Sequence, residues 1–281
     1  MIRETGYSSR KWLNRFMLIL SGVAAAIAIL VLVLILAYTV ANGIAYLNFD
    51  LLIQAAKPAG EAGGGMRNEI IGTGVLVLLG SIIAIPVGLM SGIFLSEFAG
   101  SRMAAAVRFA ADILSGVPSI IVGVFAYAIL VRPMHSYSAV SAGFALAVIM
   151  IPTVARTAEE SLKLVPNSMR EAALALGVNR WRAVVGVVIP GAMTGIVTGI
   201  MLAVARIAGE TAPLLFTAFG SYFGFQGLLE PIGALPMQIY RYALSPYTDQ
   251  NQQAWAGAFL LILLVLGVSI VVRRVSSRKR R

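Results

Sequence analysis

The sequence predicts an all-α membrane protein with six spanning helices and both termini on one side. Three observations carry this. The chain is 59% hydrophobic and only 12% charged, with a mean hydropathy of +0.87, whereas soluble domains are about 25% charged. Six apolar runs approach the roughly 20 residues that a spanning helix needs, at residues 16–40, 70–95, 108–131, 140–158, 191–218 and 255–272. The basic residues are segregated between alternate loops, as the positive-inside rule requires.

That segregation sets the orientation. Arg3, Arg10, Lys11 and Arg15 lie in the first tail, and Arg102 and Arg108 follow the second run. Arg156, Lys163, Arg170, Arg180 and Arg182 follow the fourth, and Arg273, Arg274, Arg278, Lys279, Arg280 and Arg281 close the chain. The opposite loops hold only Lys57, Arg67, Arg132 and Arg241. Both termini are therefore expected in the cytoplasm. The net charge of +10 is accounted for by tails and loops facing lipid headgroups, and no nucleic-acid partner is expected. The chain has no cysteine and one histidine, His135. Disulfide and thiolate chemistry are excluded, and a histidine triad or zinc site is not expected, so no metal and no catalytic residue is assigned.

In order, residues 1–15 read as a basic cytoplasmic tail. Phe16–Val40 is too long for a signal-peptide apolar region of about 7–15 residues, and reads as an uncleaved span. Residues 41–69, with Pro58 and Gly63-Gly64-Gly65, read as an outer connector. Residues 70–272 form the core unit, with a tight turn at 132–139, a polar cytoplasmic loop at 156–190 and a long outer loop at 219–254. The outer loop is rich in aromatics (Tyr222, Phe223, Phe225, Tyr240, Tyr242, Tyr247) and reads equally as an interfacial belt or a folded rim for a partner. Residues 273–281 are a second basic tail.

Proline separates the spans into two kinds. Pro86, Pro118, Pro152 and Pro213 fall in or at the ends of runs two to five and are expected to break helices there, whereas runs one and six have none. Span two also carries Gly72, Gly74, Gly80, Gly88 and Gly92, suited to close helix packing. Spans two to five are expected to form the core, with one and six outside it.

Arg206 is the one cation placed inside the membrane, near its middle, at a cost of about 2.5–3.5 kcal/mol on insertion scales. Glu210, four residues on, is its first candidate partner, and Thr211 adds a hydroxyl. The pair can be a self-neutralising packing device. It can also be an anion path, because a guanidinium offers a planar fork of donors that suits an oxyanion. Asp112, four residues after Arg108, reads as a local ion pair with it. Gly116-Val117-Pro118-Ser119 reads as a helix break.

In the cytoplasmic loop, Pro166, Asn167 and Ser168 can open a helix, and Glu171 favours its early turns. Ala172 to Leu176 are strong helix formers, and Gly177 supplies a left-handed stop. A second helix is expected from Asn179 to Pro190. The pattern Glu171-Ala172-Ala173, Gly177 and then Val187-Val188-Ile189-Pro190 resembles the EAA loop of ABC importer permeases, with Val187 and Ile189 where Ile and Leu are usual. Pro118 to Gly123 with Phe125-Ala126-Tyr127, the run Arg206 to Pro213, and Leu235 to Tyr240 with Ser245-Pro246-Tyr247 are similar to permeases of the phosphate-specific importer. Glu210-Thr211-Ala212-Pro213 looks like the PstA type more than the paralogous PstC type.

This resemblance implies a type I ABC importer permease in the bacterial inner membrane, paired with a PstC-type permease. It implies two cytoplasmic PstB-type ATPase subunits, a phosphate-binding protein outside, and inorganic phosphate as substrate. ATP and magnesium then belong to the ATPases, no cofactor is bound by this chain, and the chain is not itself an enzyme. Glu171, Ala172, Ala173, Gly177 and Pro190 become the coupling residues, and Arg206, Glu210 and Thr211 the substrate path. The alternatives are a permease for molybdate or sulfate, a secondary anion carrier or channel, and a signalling subunit.

Overall fold

The computed structural model describes residues 5–278 except 59, 62 and 222. Arg3, Lys279 to Arg281 and Tyr222 therefore lie outside the described residues. The elements are helical: α1 (Thr5–Tyr46), α2 (Phe49–Ile53), α3 (Arg67–Glu97), α4 (Arg102–Gly116), α5 (Ser119–Ala126), α6 (Arg132–Met134), α7 (Ala139–Lys163), α8 (Asn167–Ala175), α9 (Arg180–Ala183), α10 (Ile189–Ala208), α11 (Ala212–Thr217), α12 (Leu235–Ala243) and α13 (Thr248–Arg278). π-turns at Tyr127–Val131 and Val184–Val188 join α5 to α6 and α9 to α10.

Five helical runs are long and apolar enough to cross a membrane: Arg10–Tyr46, Arg67–Glu97, Ala139–Lys163, Arg180–Ala208 and Thr248–Val272. The sixth is a broken one, α4 followed by Ser119–Met134 at a bend of 102°. The third apolar run is therefore not a straight span. The expected break at Gly116 to Ser119 is the site of the bend, with Val117 and Pro118 both extended in ψ. The fifth span also differs. It is expected to begin near 191 and reach 218, but the continuous helix runs from Arg180 to Ala208 and ends there. Likewise α13 begins at Thr248, inside the stretch read as outer loop.

The core forms where α3, α7 and α10 meet. Leu76, Ala84, Leu146, Met150, Val154, Ala203 and Ile207 are buried together in one cluster. Glycine makes the approach of α3 to α7 possible: a Cβ on Gly88 would lie 2.7 Å from the Cβ of Val154, and one on Gly92 2.6 Å from that of Ala158. Close backbone contact of this kind is how helices associate in lipid, where no hydrophobic force drives them together. Gly74 departs from the expected packing stripe, with nothing near its would-be Cβ.

The outermost helix is α1, whose apolar stretch is fully exposed in the single chain and so faces lipid or a partner. It touches α13, where Tyr38 meets Trp255 edge-on at 5.2 Å and Gly43 seats Phe259. These contacts pair the end of α1 with the start of α13.

Proline acts in two ways. The helices continue through Pro86 and Pro152, which corrects the expected breaks there. In apolar surroundings a backbone that left the helix would strand its polar groups. Pro118 and Pro213 instead stand at the starts of α5 and α11, where a missing N–H costs nothing. Pro190 sits in the first turn of α10 directly after a π-turn and does not separate the loop from the span.

Candidate translocation and coupling sites

Two sites stand at different depths of the bundle. The first is the break that ends α10. Gly209 caps the helix, its N–H donating to Arg206 O at 3.2 Å, and Glu210 N donates to Ile207 O at 3.2 Å. Thr211 then caps α11 through its backbone, its carbonyl accepting from Leu214 and Leu215. Glu210 is therefore in the break, not on the helix face below Arg206. The two still meet, with Arg206 Nε 3.8 Å from Glu210 Oε1. That separation is a loose ion pair and too long for a hydrogen bond. Arg206 is 49% exposed and Glu210 17%.

Arg206 lies in the last turn of its own helix yet at mid-depth in the bundle. Its neighbour Ile207 meets Gly80, near the centre of α3, and Leu146 of α7 is beside the same glycine. The helix break is what allows this: α10 stops at mid-depth, and the chain continues to the far end through α11. There α11 packs across α5, where a Cβ on Gly123 would come within 2.6 Å of Pro213 Cα. Two helices are thus interrupted in the apolar zone, and one of them ends two residues past the half-exposed Arg206, the kind of place where transporters build substrate paths.

The second site is the loop between α7 and α10. As the sequence predicts, α8 is followed by a turn and a second helix that starts after Asn179, but that helix does not stop at Pro190 and runs on as the fifth span. Gly177 adopts φ +77° with open space around it, and its N–H donates to Leu174 O at 2.9 Å while Val178 N donates to Ala173 O at 3.2 Å. The left-handed turn itself requires glycine, since no neighbour restricts a side chain there. Glu171 and Ala172 are exposed, and Ala173 is buried against the bundle. Leu176 is 84% exposed, and Met169, Leu174 and Trp181 are also open.

Two acidic residues not singled out in the sequence organise this end. Glu159 is buried and receives Arg108 (Nη2 at 2.6 Å), Arg156 (Nη1 at 3.1 Å) and Lys163 (Nζ at 2.6 Å). Asp112 pairs with Arg156 Nη2 at 2.9 Å, which corrects the expected Arg108–Asp112 pair: Arg108 turns to the better buried carboxylate on α7. Glu97, at the end of α3, receives Arg170 of α8 and lies 3.6 Å from Arg180 Nε. The signal for these residues was a carboxylate at the edge of an apolar run among several cations. Their partners on other helices were not readable.

At the opposite end the long outer segment is a folded rim. Leu235, Met237 and Tyr242 of α12 are buried. Thr73 of α3 accepts from Leu235 N at 2.8 Å and donates to Glu69 O at 2.8 Å. Arg241 donates to the carbonyl of Phe219, which holds φ +63° and stacks on Tyr137 at 4.7 Å. Phe223 and Tyr247 remain exposed. Among the described residues no cluster of potential metal ligands occurs.

An all-helical bundle with interrupted membrane helices and a two-helix loop at one end defines a multi-pass transport subunit. The chain belongs to the binding-protein-dependent transport system inner membrane component family, whose model matches residues 84–281, and within it to the PstA permeases. It is 42% identical to the phosphate transport system permease protein PstA of Yersinia pestis over 272 residues, covering 96% of this chain and 92% of the relative. It is 44% identical to that of Haemophilus influenzae, covering 96% of both. A probable PstA of the archaeon Methanocaldococcus jannaschii is 34% identical and covers 92% of both. Among solved structures, a bacterial ABC transporter that imports alginate superposes with a TM-score of 0.62 at 16% identity, covering 96% of both chains. The inward-facing MetNI methionine transporter superposes at 0.59 and 22% identity, covering 75% of this chain and 92% of that one. These two likenesses concern the fold.

Proposed function

We propose that this chain is the permease subunit of an ATP-driven importer of inorganic phosphate and forms half of its translocation path. The observation that carries this is Arg206 at the break of α10: a half-exposed guanidinium at mid-depth with one loose partner. Most of its donors are free for an oxyanion, and Glu210 competes for it strongly enough to allow release. The names of the relatives supply phosphate as that oxyanion. The end bearing α8 is the cytoplasmic one, in keeping with its basic residues.

The other half of the path is a PstC-type permease, and a phosphate-binding protein docks on the outer rim. Two ATPase subunits seat on α8 through Glu171, Ala172 and the exposed Leu176. They hold ATP and magnesium, and this chain does no hydrolysis. Closure of the ATPases moves α8, and the unbroken helix from Arg180 to Ala208 carries the movement to Arg206.

The test is a complex purified with its partners and reconstituted in vesicles. Phosphate with the binding protein is expected to stimulate ATP hydrolysis and drive uptake, and sulfate and molybdate are not. Equal stimulation by those anions overturns the substrate. Gly177→Pro cannot adopt the left-handed turn and loses the bond to Leu174 O, so it is expected to abolish ATPase-driven uptake. Normal uptake by Gly177→Pro overturns the coupling role of the loop.

A further inference from the structure

We infer that Glu97 is a positioning residue that clamps the coupling loop to α3, so that both move as one body when the ATPases act. The inference rests on the coupling role proposed for α8 and extends it to a helix that the loop is not joined to in sequence.

The geometry is a two-arginine clasp. Arg170 of α8 places one guanidinium nitrogen on Glu97 Oε1 and donates another, Nη2, to Leu162 O at 3.0 Å, among the last carbonyls of α7. Arg180, which opens the long fifth helix, donates Nη2 to Glu97 O at 2.6 Å and stands 5.2 Å over the ring of Phe98. Its Nε is 3.6 Å from Glu97 Oε2. The Glu97 side chain is 9% exposed. One carboxylate and two helix-terminal carbonyls therefore collect the ends of α3, α7, α8 and α9.

Two physical features make this a clamp. Cations at helix C-termini satisfy carbonyls that have no partner within the helix. A forked guanidinium can hold two acceptors on different helices at once, which an ammonium cannot do in the same geometry. Below the clasp, Leu162, Val165, Val188, Ala192 and Ile196 form an apolar cluster with Leu89 and Ile93 of α3, so the three long helices are already packed there. The covalent route from α8 to α10 passes through the π-turn Val184–Val188. The route through Glu97 bypasses that turn and enters α3, whose centre packs beside Ile207 and hence Arg206.

The absence of native cysteine allows a direct test. Spin labels on Gly100→Cys, after the end of α3, and Ser168→Cys, exposed in the first turn of α8, report the separation of the two bodies in the assembled complex. With Glu97 intact, the separation is expected to be the same with and without ATP. In Glu97→Gln it is expected to change on adding ATP, and the phosphate moved per ATP hydrolysed to fall about fivefold or more. Glu97→Asp, which keeps the charge, recovers the fixed separation. Arg170→Gln is a second variant with the same expected change.

A Glu97→Gln separation that stays insensitive to ATP overturns the inference, as does a parent separation that changes with ATP. The distance readout needs no phosphate. A complex that hydrolyses ATP without responding to phosphate therefore refutes the substrate and still tests the clasp.

Discussion

The ion pairs of this chain fall into two regions, and they are built differently. At the end bearing α8, Glu159 is 1% exposed and is held by three cations from two helices, and Glu97 is shared by two arginines. At mid-depth, Arg206 has one carboxylate at 3.8 Å and is half exposed. Buried charge is tolerated when its partners saturate it. The two carboxylates of the first region meet that condition and Arg206 does not, although it sits where desolvation is most costly. The difference separates charges that hold helices together from one with a single loose carboxylate partner, the one we propose as the anion contact.

The sharpest way to break that comparison is to remove Arg206. Arg206→Ala is expected to abolish phosphate uptake while the complex still assembles, because little in the bundle depends on the side chain. A charge-assisted hydrogen bond contributes about 1.5–3 kcal/mol, and an oxyanion on this fork takes more than one. Arg206→Lys is expected to retain at most about a tenth of the uptake, since a point charge lacks the fork. Uptake of labelled phosphate into vesicles, beside the yield of intact complex, measures both. Normal uptake by Arg206→Ala would return Arg206 to the class of packing charges.

The reverse result is expected for Glu159. Glu159→Ala leaves Arg108, Arg156 and Lys163 crowded around a void, and breaking a buried charge cluster costs about 3–5 kcal/mol. Thermal unfolding in detergent is expected to shift strongly downward, and the protein that survives to transport phosphate with unchanged selectivity. A variant as stable as the parent would show that the three cations find other partners.

How much of this was legible in the sequence varies with the distance between partners. Gly177 as a left-handed stop followed from a glycine after an alanine-rich helix, a strictly local signal. Arg206 stood out as a lone cation in an apolar run. A break at Pro213 was expected, but that α10 already ends at Ala208 was not, although the signal was present: Pro213 cannot donate to Gly209 O, four residues back, and glycine is itself a helix terminator. Pro118 has Gly116 just before it, and there too the chain leaves the helix. Pro86 follows Ile82-Ile83-Ala84-Ile85 and Pro152 follows Val148-Ile149-Met150-Ile151, and both helices run on. Proline alone did not discriminate, and a glycine beside it does not suffice: Pro190 has Gly186 four residues back, yet the helix runs on there through a π-turn. The partners of Glu97 and Glu159 were beyond reach, because Arg170 and Arg108 are brought to them by packing across dozens of residues.

A smaller effect is expected from Glu210→Gln. It removes the competitor of Arg206 without opening a void, because the group is partly exposed and the pair is long. Phosphate binding to the permease pair is expected to tighten by up to about fivefold, the scale of a solvent-screened ion pair, while the maximal uptake rate falls because release slows. Isothermal titration and uptake measured together separate the two. Weaker binding would assign Glu210 to holding the ligand itself.

Asp112→Asn sets the lower bound. Asp112 belongs to the same network as Glu159 through Arg156 but lies at its exposed rim, with a side chain 52% open. Exposed pairs contribute about 0–1 kcal/mol, and Arg156 keeps its bond to Glu159 when Asp112 is neutral. Unfolding in detergent and phosphate uptake are both expected to stay close to the parent. An Asp112→Asn variant as unstable as Glu159→Ala would mean that Arg156 is positioned by its exposed partner, and that burial is the wrong criterion for telling the structural charges of this chain from the free one.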